Sequence, residues 1–455
     1  MITNSTQEAL LAHVKSLNDS YLGPLLIVLL LGTGLFFTFR LCFVQKYLIR
    51  AACNIFKGKN HGKASRKEGM SPFQALSTAV ASQLGTGNII GVATAIVAGG
   101  PGAILWLWVS IVLGMATNYA EAVLAQIYKS ETADGHVIGG PAYYISRGLK
   151  SKVLANIFAI VAVFALGFMG TIVQTNSITL TMGNIMPVQP IYIGIVVAII
   201  VGCVLIGGIT RIASFSEKIV PIMASIYFLA GITVIIMNYE NIIPAFNSIF
   251  VGAFSPSSVG GGVLGFTVMK ALRYGVSRGL FSNEAGLGTT PHAHAVAKVK
   301  EPYEQGLTAI VGVATNLIIC TLSALIVIVA GPSLDIATAD AVQTSFGMAF
   351  GKTGLIFVAV TLFFFSITTI VGWYFFAAQN LRFICGEKLI TPFRALVVLF
   401  VVLGSILEVD LVWELMDTFN VFLVIPNVIA LWYLSPKIAE QTKKLSDKVK
   451  QSKQK

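Results

Sequence analysis

The sequence predicts an all-α polytopic membrane protein, and three observations predict it. The chain has 455 residues, 55% of them hydrophobic and only 11% charged, where an ordinary soluble domain carries about 25% charged residues. Runs such as YLGPLLIVLLLGTGLFFTF (21–39), IYIGIVVAIIVGCVLIGGI (191–209) and VPIMASIYFLAGITVIIM (220–237) recur, each with roughly the 20 residues a helix needs to cross a bilayer. Lysine and arginine concentrate in alternate loops, the distribution that orients a membrane protein. A transmembrane barrel would instead show short segments of alternating polarity.

Eleven spans are expected, at 21–43, 73–98, 102–128, 152–184, 190–209, 216–238, 262–290, 304–330, 353–384, 392–407 and 411–434. Residues 1–20 lack the basic start and cleavage site of a signal peptide, so the first apolar run (21–43) is expected to stay as a helix. The loop 44–72 holds Lys46, Arg50, Lys57, Lys59, Lys63, Arg66 and Lys67, which places it in the cytoplasm and the N-terminus outside. Within it, KYLIRAACNIFKG reads either as an amphipathic helix on the membrane surface or as a plain connector. Later loops on the same side carry Lys129, Arg147, Lys150 and Lys152, then Arg211 and Lys218, Lys298 and Lys300, Lys388 and Arg394. The facing loops (185–190, 238–262 and 331–353) carry almost no basic residues. An odd number of spans leaves the lysine-rich tail, 436–455, in the cytoplasm. The net charge of +11 is therefore read as a cytoplasmic surface, with no nucleic-acid partner. Cys42, Cys53, Cys203, Cys320 and Cys385 are scattered, so neither a disulfide framework nor a zinc site is suggested.

The span at 73–98 and the turn after it hold six glycines between Gly85 and Gly102. Gly85 and Gly87 begin a GxGxxG that fails at Ile90, and no strand precedes it, so a dinucleotide site is excluded. Gly87 and Gly91 form a GxxxG, which suits close helix packing. Packing does not account for Gln83, Thr86 and Asn88, because polar groups in hydrocarbon need partners or a cavity. A helix interrupted at Gly85–Gly87 does account for them. Its freed carbonyls face a cation, and its freed N–H groups face a carboxylate.

A second glycine-rich stretch, RYGVSRGLFSNEAGLGTTPHAHA (273–295), lies in the seventh expected span. Paired interruptions at matching positions of two halves mark the binding site of a secondary transporter. With the first helix set aside, the breaks fall in core helices 1 and 6, as an inverted repeat of five plus five requires. The expected organisation is therefore one extra helix, a first repeat over 73–238 and a second over 239–435.

At these residues the chain resembles a known family. GTGNIIGVATAIVAGGPGAILWLWV (85–109), RGLFSNEAGLGTTPHAHA (278–295), FSITTIVGWYFF (365–376) and GPAYYISRGL (140–149) are similar to signature segments of the alanine or glycine:cation symporter (sodium:alanine symporter) family. The similarity runs from about Phe73 to Pro436. It implies the leucine-transporter fold in the plasma membrane of a prokaryote, carrying small neutral amino acids (alanine, glycine, D-alanine) inward with sodium. It implies no organic cofactor and leaves the oligomeric state open.

Carried onto this sequence, the resemblance assigns the N–H groups of Thr86 and Gly87 to the substrate carboxylate. The carbonyls of Ala81 and Leu84 and the hydroxyls of Thr368 and Thr369 are assigned to sodium. Each threonine has a plainer role open to it, bonding a carbonyl one turn earlier. Asn88 either takes a second cation or braces the break. Gln83, Phe168, Gln174, Phe281, Asn283 and Trp373 are expected to line the substrate cavity, the aromatics having plain packing as their alternative. Arg278 and Glu284, charges at membrane depth, are expected to pair, brace or gate. Glu121 is expected near the cytoplasmic boundary, and His292 and His294 lack further metal ligands nearby.

Two departures from the family pattern stand out. Ala378 lies where a glutamate often follows GWY, and Gln83 replaces smaller side chains, which leaves the preferred amino acid in doubt. Proton coupling, or a larger cargo such as glutamine, are the rival readings. A membrane enzyme would need a nucleophile or metal beside Glu284, His292 and His294, and none is evident. A channel would need repeated subunits or charged rings.

Overall fold

The computed structural model describes residues 4–56, 69–131, 137–254, 268–331, 340–407 and 409–454. In chain order its helices are α1 (Asn4–Leu17), α2 (Gly23–Arg40), α3 (Leu48–Phe56), α4 (Pro72–Gln83), α5 (Val92–Gly99), α6 (Ala103–Ile127) and α7 (Pro141–Gly148). They continue with α8 (Lys152–Phe164), α9 (Gly170–Gly183), α10 (Pro190–Ile206), α11 (Gly208–Met237), α12 (Ile242–Phe254), α13 (Val268–Asn283) and α14 (Pro291–Ala295). The last are α15 (Pro302–Ala330), α16 (Asp340–Phe350), α17 (Lys352–Cys385), α18 (Ile390–Gly404), α19 (Val409–Tyr433) and α20 (Ser435–Gln454). Two short strands, Ser130–Glu131 and Val137–Ile138, pair antiparallel after α6.

Among the described residues seven helical stretches are long and apolar enough to cross a membrane, and a bent pair makes an eighth. That pair is Pro72–Gln83 with Gly87–Gly99, bent by 54°. Two regions read as plain loops are partly helical, namely 238–262 through α12 and 331–353 through α16. Both helices are too short to span, and short apolar helices are hard to tell from loops by hydropathy alone. Within KYLIRAACNIFKG, whose last two residues lie outside the described ones, Leu48–Phe56 forms α3, which buries Ala51 and Ile55 and leaves Ile49 exposed. It packs against α15.

Local chemistry sets the ends of the first broken helix. Ser71 caps α4 by accepting from the Gln74 N–H, and Gln74 returns the bond to the Ser71 N–H, with Pro72 next in the chain. This reciprocal box, with proline at the first helical position, fixes the start of the helix. At the other end Leu84 leaves the helical path at φ −87°, ψ 68°. A π-helical turn over Gly87–Gly91 then leads into α5.

Gly102 shows how closely the backbones approach. A Cβ built on it would lie 2.1 Å from the Gly252 carbonyl carbon on α12. Since backbone cannot rotate aside, Gly102→Val should separate α6 from α12 at about the 1–3 kcal/mol typical of overpacking. The expected result is a lowered thermal midpoint in detergent. An unchanged midpoint would show that α12 does not dock there.

Candidate functional site

The second break lies between α13 and α14. Glu284 has φ +56°, and Gly286 and Gly288 have φ +90° and +77°. A left-handed glutamate is a strained residue of the kind that collects at functional sites. The turn is held locally: the Asn283 side chain accepts from the Ala285 N–H at 2.7 Å, and the Leu287 N–H donates to the Glu284 carbonyl.

The two breaks face each other. Gln83 Nε2 donates to the Asn283 carbonyl at 2.7 Å. Gly87 sits so close to α13 that a Cβ on it would meet the Phe281 ring at 2.9 Å and Ser282 Cα at 3.4 Å. Asn316 of α15 donates to the Ser282 carbonyl at 2.7 Å and reaches the Gln83 carbonyl at 3.4 Å, so one side chain touches both interruptions. Beside it, Asn88 Nδ2 contacts Cys320 Sγ at 3.5 Å while its Oδ1 is buried without a hydrogen-bond partner.

Helix α17 closes the first break from the other side. Thr369 Oγ1 lies 3.0 Å from both the Ala81 and the Phe365 carbonyls, and Thr368 Oγ1 lies 2.8 Å from Phe365 O. A hydroxyl has one proton. Thr369 therefore satisfies one carbonyl and turns a lone pair toward the other, an oxygen-rich arrangement that a cation would relieve. Gln174 of α9 completes this wall: its Oε1 accepts from the Thr86 N–H at 3.2 Å and its Nε2 donates to Thr86 Oγ1 at 3.1 Å. The leucine at 84 is fully buried at the same point.

Trp373 and Phe281 meet edge to face with ring centroids 6.1 Å apart. Trp373 Nε1 donates to Glu284 Oε1 at 2.7 Å, while Thr289 and Ser82 donate to Oε2 at 2.5 and 3.2 Å. Glu284 is 1% exposed, and no basic group pairs with it among the described residues. Arg278 and Glu284 do not pair. One turn and a half of helix turns Arg278 to the opposite end of the aromatic cluster, where it faces Asp417 at 3.4 Å and lies over the Trp413 ring at 5.2 Å. Trp413 in turn packs on Phe281, centroids 5.1 Å apart. An uninterrupted row, Asp417–Arg278–Trp413–Phe281–Trp373–Glu284, thus links the two charges through rings.

Other residues lie elsewhere than the sequence suggested. Phe168 packs with Phe164, Phe393 and Phe400, away from both breaks. Its helix turns Gly170, not Phe168, toward Trp373. The Asn283 side chain caps its own turn and faces α6 at Gly114, not the first break. Glu121, near the end of α6, is completely buried among protein side chains. His292 and His294 are each fixed by hydrogen bonds, to Thr289 and Asn380 and to Gln305 respectively. Ala378 is buried and apolar. Sequence reasoning missed Ser82, Ser282, Thr289 and Asn316. Only Asn316, a lone amide within GVATNLIICTL, carried a visible signal.

Comparison with known proteins gives the family and the fold. The profile of the sodium:alanine symporter family matches residues 7–455. The sodium/alanine symporter AgcS of Methanococcus maripaludis is 40% identical over 444 residues, covering 95% of this chain and 97% of that protein. The probable sodium/glutamine symporter GlnT of Bacillus subtilis is 35% identical over 434 residues, covering 94% and 89%. Among solved structures, MhsT in complex with L-phenylalanine superposes with a TM-score of 0.59 over 81% of this chain and 90% of that one. At 12% identity that likeness shows the fold, which is the leucine-transporter fold. The chain belongs to the sodium:alanine symporter family, whose members are membrane transporters and not enzymes.

Proposed function

We propose that this protein is a sodium-coupled symporter that carries small neutral amino acids, alanine and glycine foremost, into a prokaryotic cell across its plasma membrane. Eleven spans place the N-terminus outside and the C-terminus in the cytoplasm. The observation that carries the reading is the pair of opposed helix breaks, with the Ala81 carbonyl and the Thr369 hydroxyl brought within 3.0 Å of each other. Ala81, Leu84, Thr368 and Thr369 hold the coupling sodium. The N–H groups of Thr86 and Gly87 take the substrate carboxylate, that of Thr86 by leaving Gln174 Oε1, the acceptor that holds it in this structure. Phe281 and Trp373 close over a short side chain.

Alternating access follows from linkage: sodium that favours the conformation with a formed substrate site raises substrate affinity, and the substrate raises sodium affinity equally. The Arg278–Asp417 contact and the aromatic row beneath it form the gate to one side. A small cleft at this contact is lined by Asn18, Asp19, Arg273, Arg278, Glu414 and Asp417. The buried, unpartnered Oδ1 of Asn88 is the candidate ligand for a second cation. Asn88→Leu should turn a sigmoidal sodium dependence of uptake into a hyperbolic one; an unchanged curve would leave Asn88 as a brace.

In proteoliposomes, alanine uptake should follow an inward sodium gradient and vanish when potassium replaces sodium. Uptake indifferent to sodium would remove the assignment. One observation favours a second reading, proton coupling: Glu284 is a buried acid without a basic partner among the described residues. If that reading holds, a pH gradient alone drives uptake and Glu284→Gln abolishes it. A panel of neutral L- and D-amino acids, glutamine included, decides the cargo.

A further inference from the structure

Glu121 is the second acid beside the α13–α14 break, and nothing in the transport reading uses it. Its residue is 0% exposed. Oε1 accepts from the Gly286 N–H at 3.1 Å, the Gly288 N–H at 3.0 Å and Asn427 Nδ2 at 2.6 Å, while Oε2 has no hydrogen-bond partner. Two backbone N–H groups, of Gly286 and Gly288, converge on one carboxyl oxygen supplied by α6, and converging backbone N–H groups favour a negative charge.

The same knot gathers four more elements. Asn427 of α19 also donates to the Gly286 carbonyl at 3.0 Å and accepts from the Tyr144 hydroxyl of α7. Pro426, one residue before it, interrupts the hydrogen bonding of α19, and such sites are where helices bend. The walls are tight as well: a Cβ on Gly288 would lie 2.7 Å from Pro141 and 3.0 Å from Phe158 of α8. A Cβ on Gly286 would lie 2.6 Å from Leu30 of α2.

We propose that Glu121 is a positioning residue for transport: its negative charge holds the Glu284–Gly288 turn in the shape that faces the first break, and Asn427 makes that hold depend on α19. This rests on the reading of the two breaks as the substrate site. The arrangement separates charge from shape. All three donors converge on Oε1, so Glu121→Gln keeps an acceptor at that position, removes the charge and sets an amide N–H2 where Oε2 has no partner; charge-assisted bonds are roughly twice as strong as neutral ones. A turn held in its competent shape for only a tenth of the time would raise the apparent substrate constant about tenfold.

The test uses full-length protein, with hydrogen exchange in detergent and alanine uptake in proteoliposomes. E121Q is expected to melt near the wild-type temperature and to exchange amides of the 284–290 segment about tenfold faster. Its KM for alanine should rise about tenfold with little change in maximal rate. A folded E121Q with wild-type exchange and KM would overturn the proposal. If E121Q does not fold, Asn427→Ala, which removes one of the three donors, answers the same question by the same two readouts. The exchange readout does not require transport, so failure of sodium coupling and failure of this proposal remain separate results.

Discussion

Thr369→Val should lower apparent sodium affinity for alanine uptake by about a hundredfold, toward the upper end of what disturbing a metal site usually costs. Valine preserves the β-branched shape and volume and removes only the oxygen that stands 3.0 Å from the Ala81 carbonyl. Thr368→Val is the comparison within the same proposed site. Its hydroxyl touches only Phe365 O, three residues back on its own helix, a bond that contributes little to holding a helix together. Its effect should therefore be several-fold smaller. Both variants should fold, because α17 is a continuous helix from Lys352 to Cys385 and valine is tolerated within it. Uptake by Thr369→Val with wild-type sodium dependence would mean that the contact between α4 and α17 is packing alone.

The contrast between the two threonines shows what the sequence could not decide. FSITTIVGWYFF places both hydroxyls at membrane depth, but which one leaves its own helix depends on the rotation of α17 against α4. That rotation is set by packing such as Gly372 against Ser82, where a Cβ would approach to 3.2 Å. The breaks themselves were legible, because glycine is costly within a helix and polar residues are costly in hydrocarbon. Phe168 and Asn283 were misread for a related reason. An aromatic or amide near a break is equally compatible with several helix faces, and a π-helical turn over Ala165–Met169 shifts the face presented by everything after it. Ser82, Ser282 and Thr289 were silent, since a hydroxyl bonded to another side chain, Glu284 for Ser82 and Thr289 and Cys320 for Ser282, looks in sequence like one bonded to its own helix. Glu121 was visible as a charge, but its role as an internal anion depends on two glycine N–H groups more than a hundred and sixty residues away.

The glycines of the first break separate by the same reasoning. Gly85→Ala should weaken the apparent affinity for sodium and alanine by as much as about a hundredfold while leaving the protein folded. A Cβ on Gly85 would stand 2.5 Å from Thr369 Oγ1 and 3.0 Å from Gln174 Oε1. Thr369 is β-branched and stiff about χ1, so it yields only by giving up the Ala81 carbonyl. Gln174 yields only by releasing the Thr86 N–H. One methyl group therefore disturbs the cation wall and the substrate wall together. Overpacking of about 1–3 kcal/mol, concentrated on groups that bind cargo, corresponds to as much as about a hundredfold in affinity. Gly91→Ala is the matched control, because its nearest neighbour to a built Cβ is Arg278 Cδ at 3.9 Å, an ordinary contact. Alanine there should transport at close to the wild-type rate. Equal damage from both substitutions would mean that the stretch needs glycine for flexibility throughout. Damage from Gly85→Ala alone would mean that it needs glycine for space at one point, between the two residues that define the site.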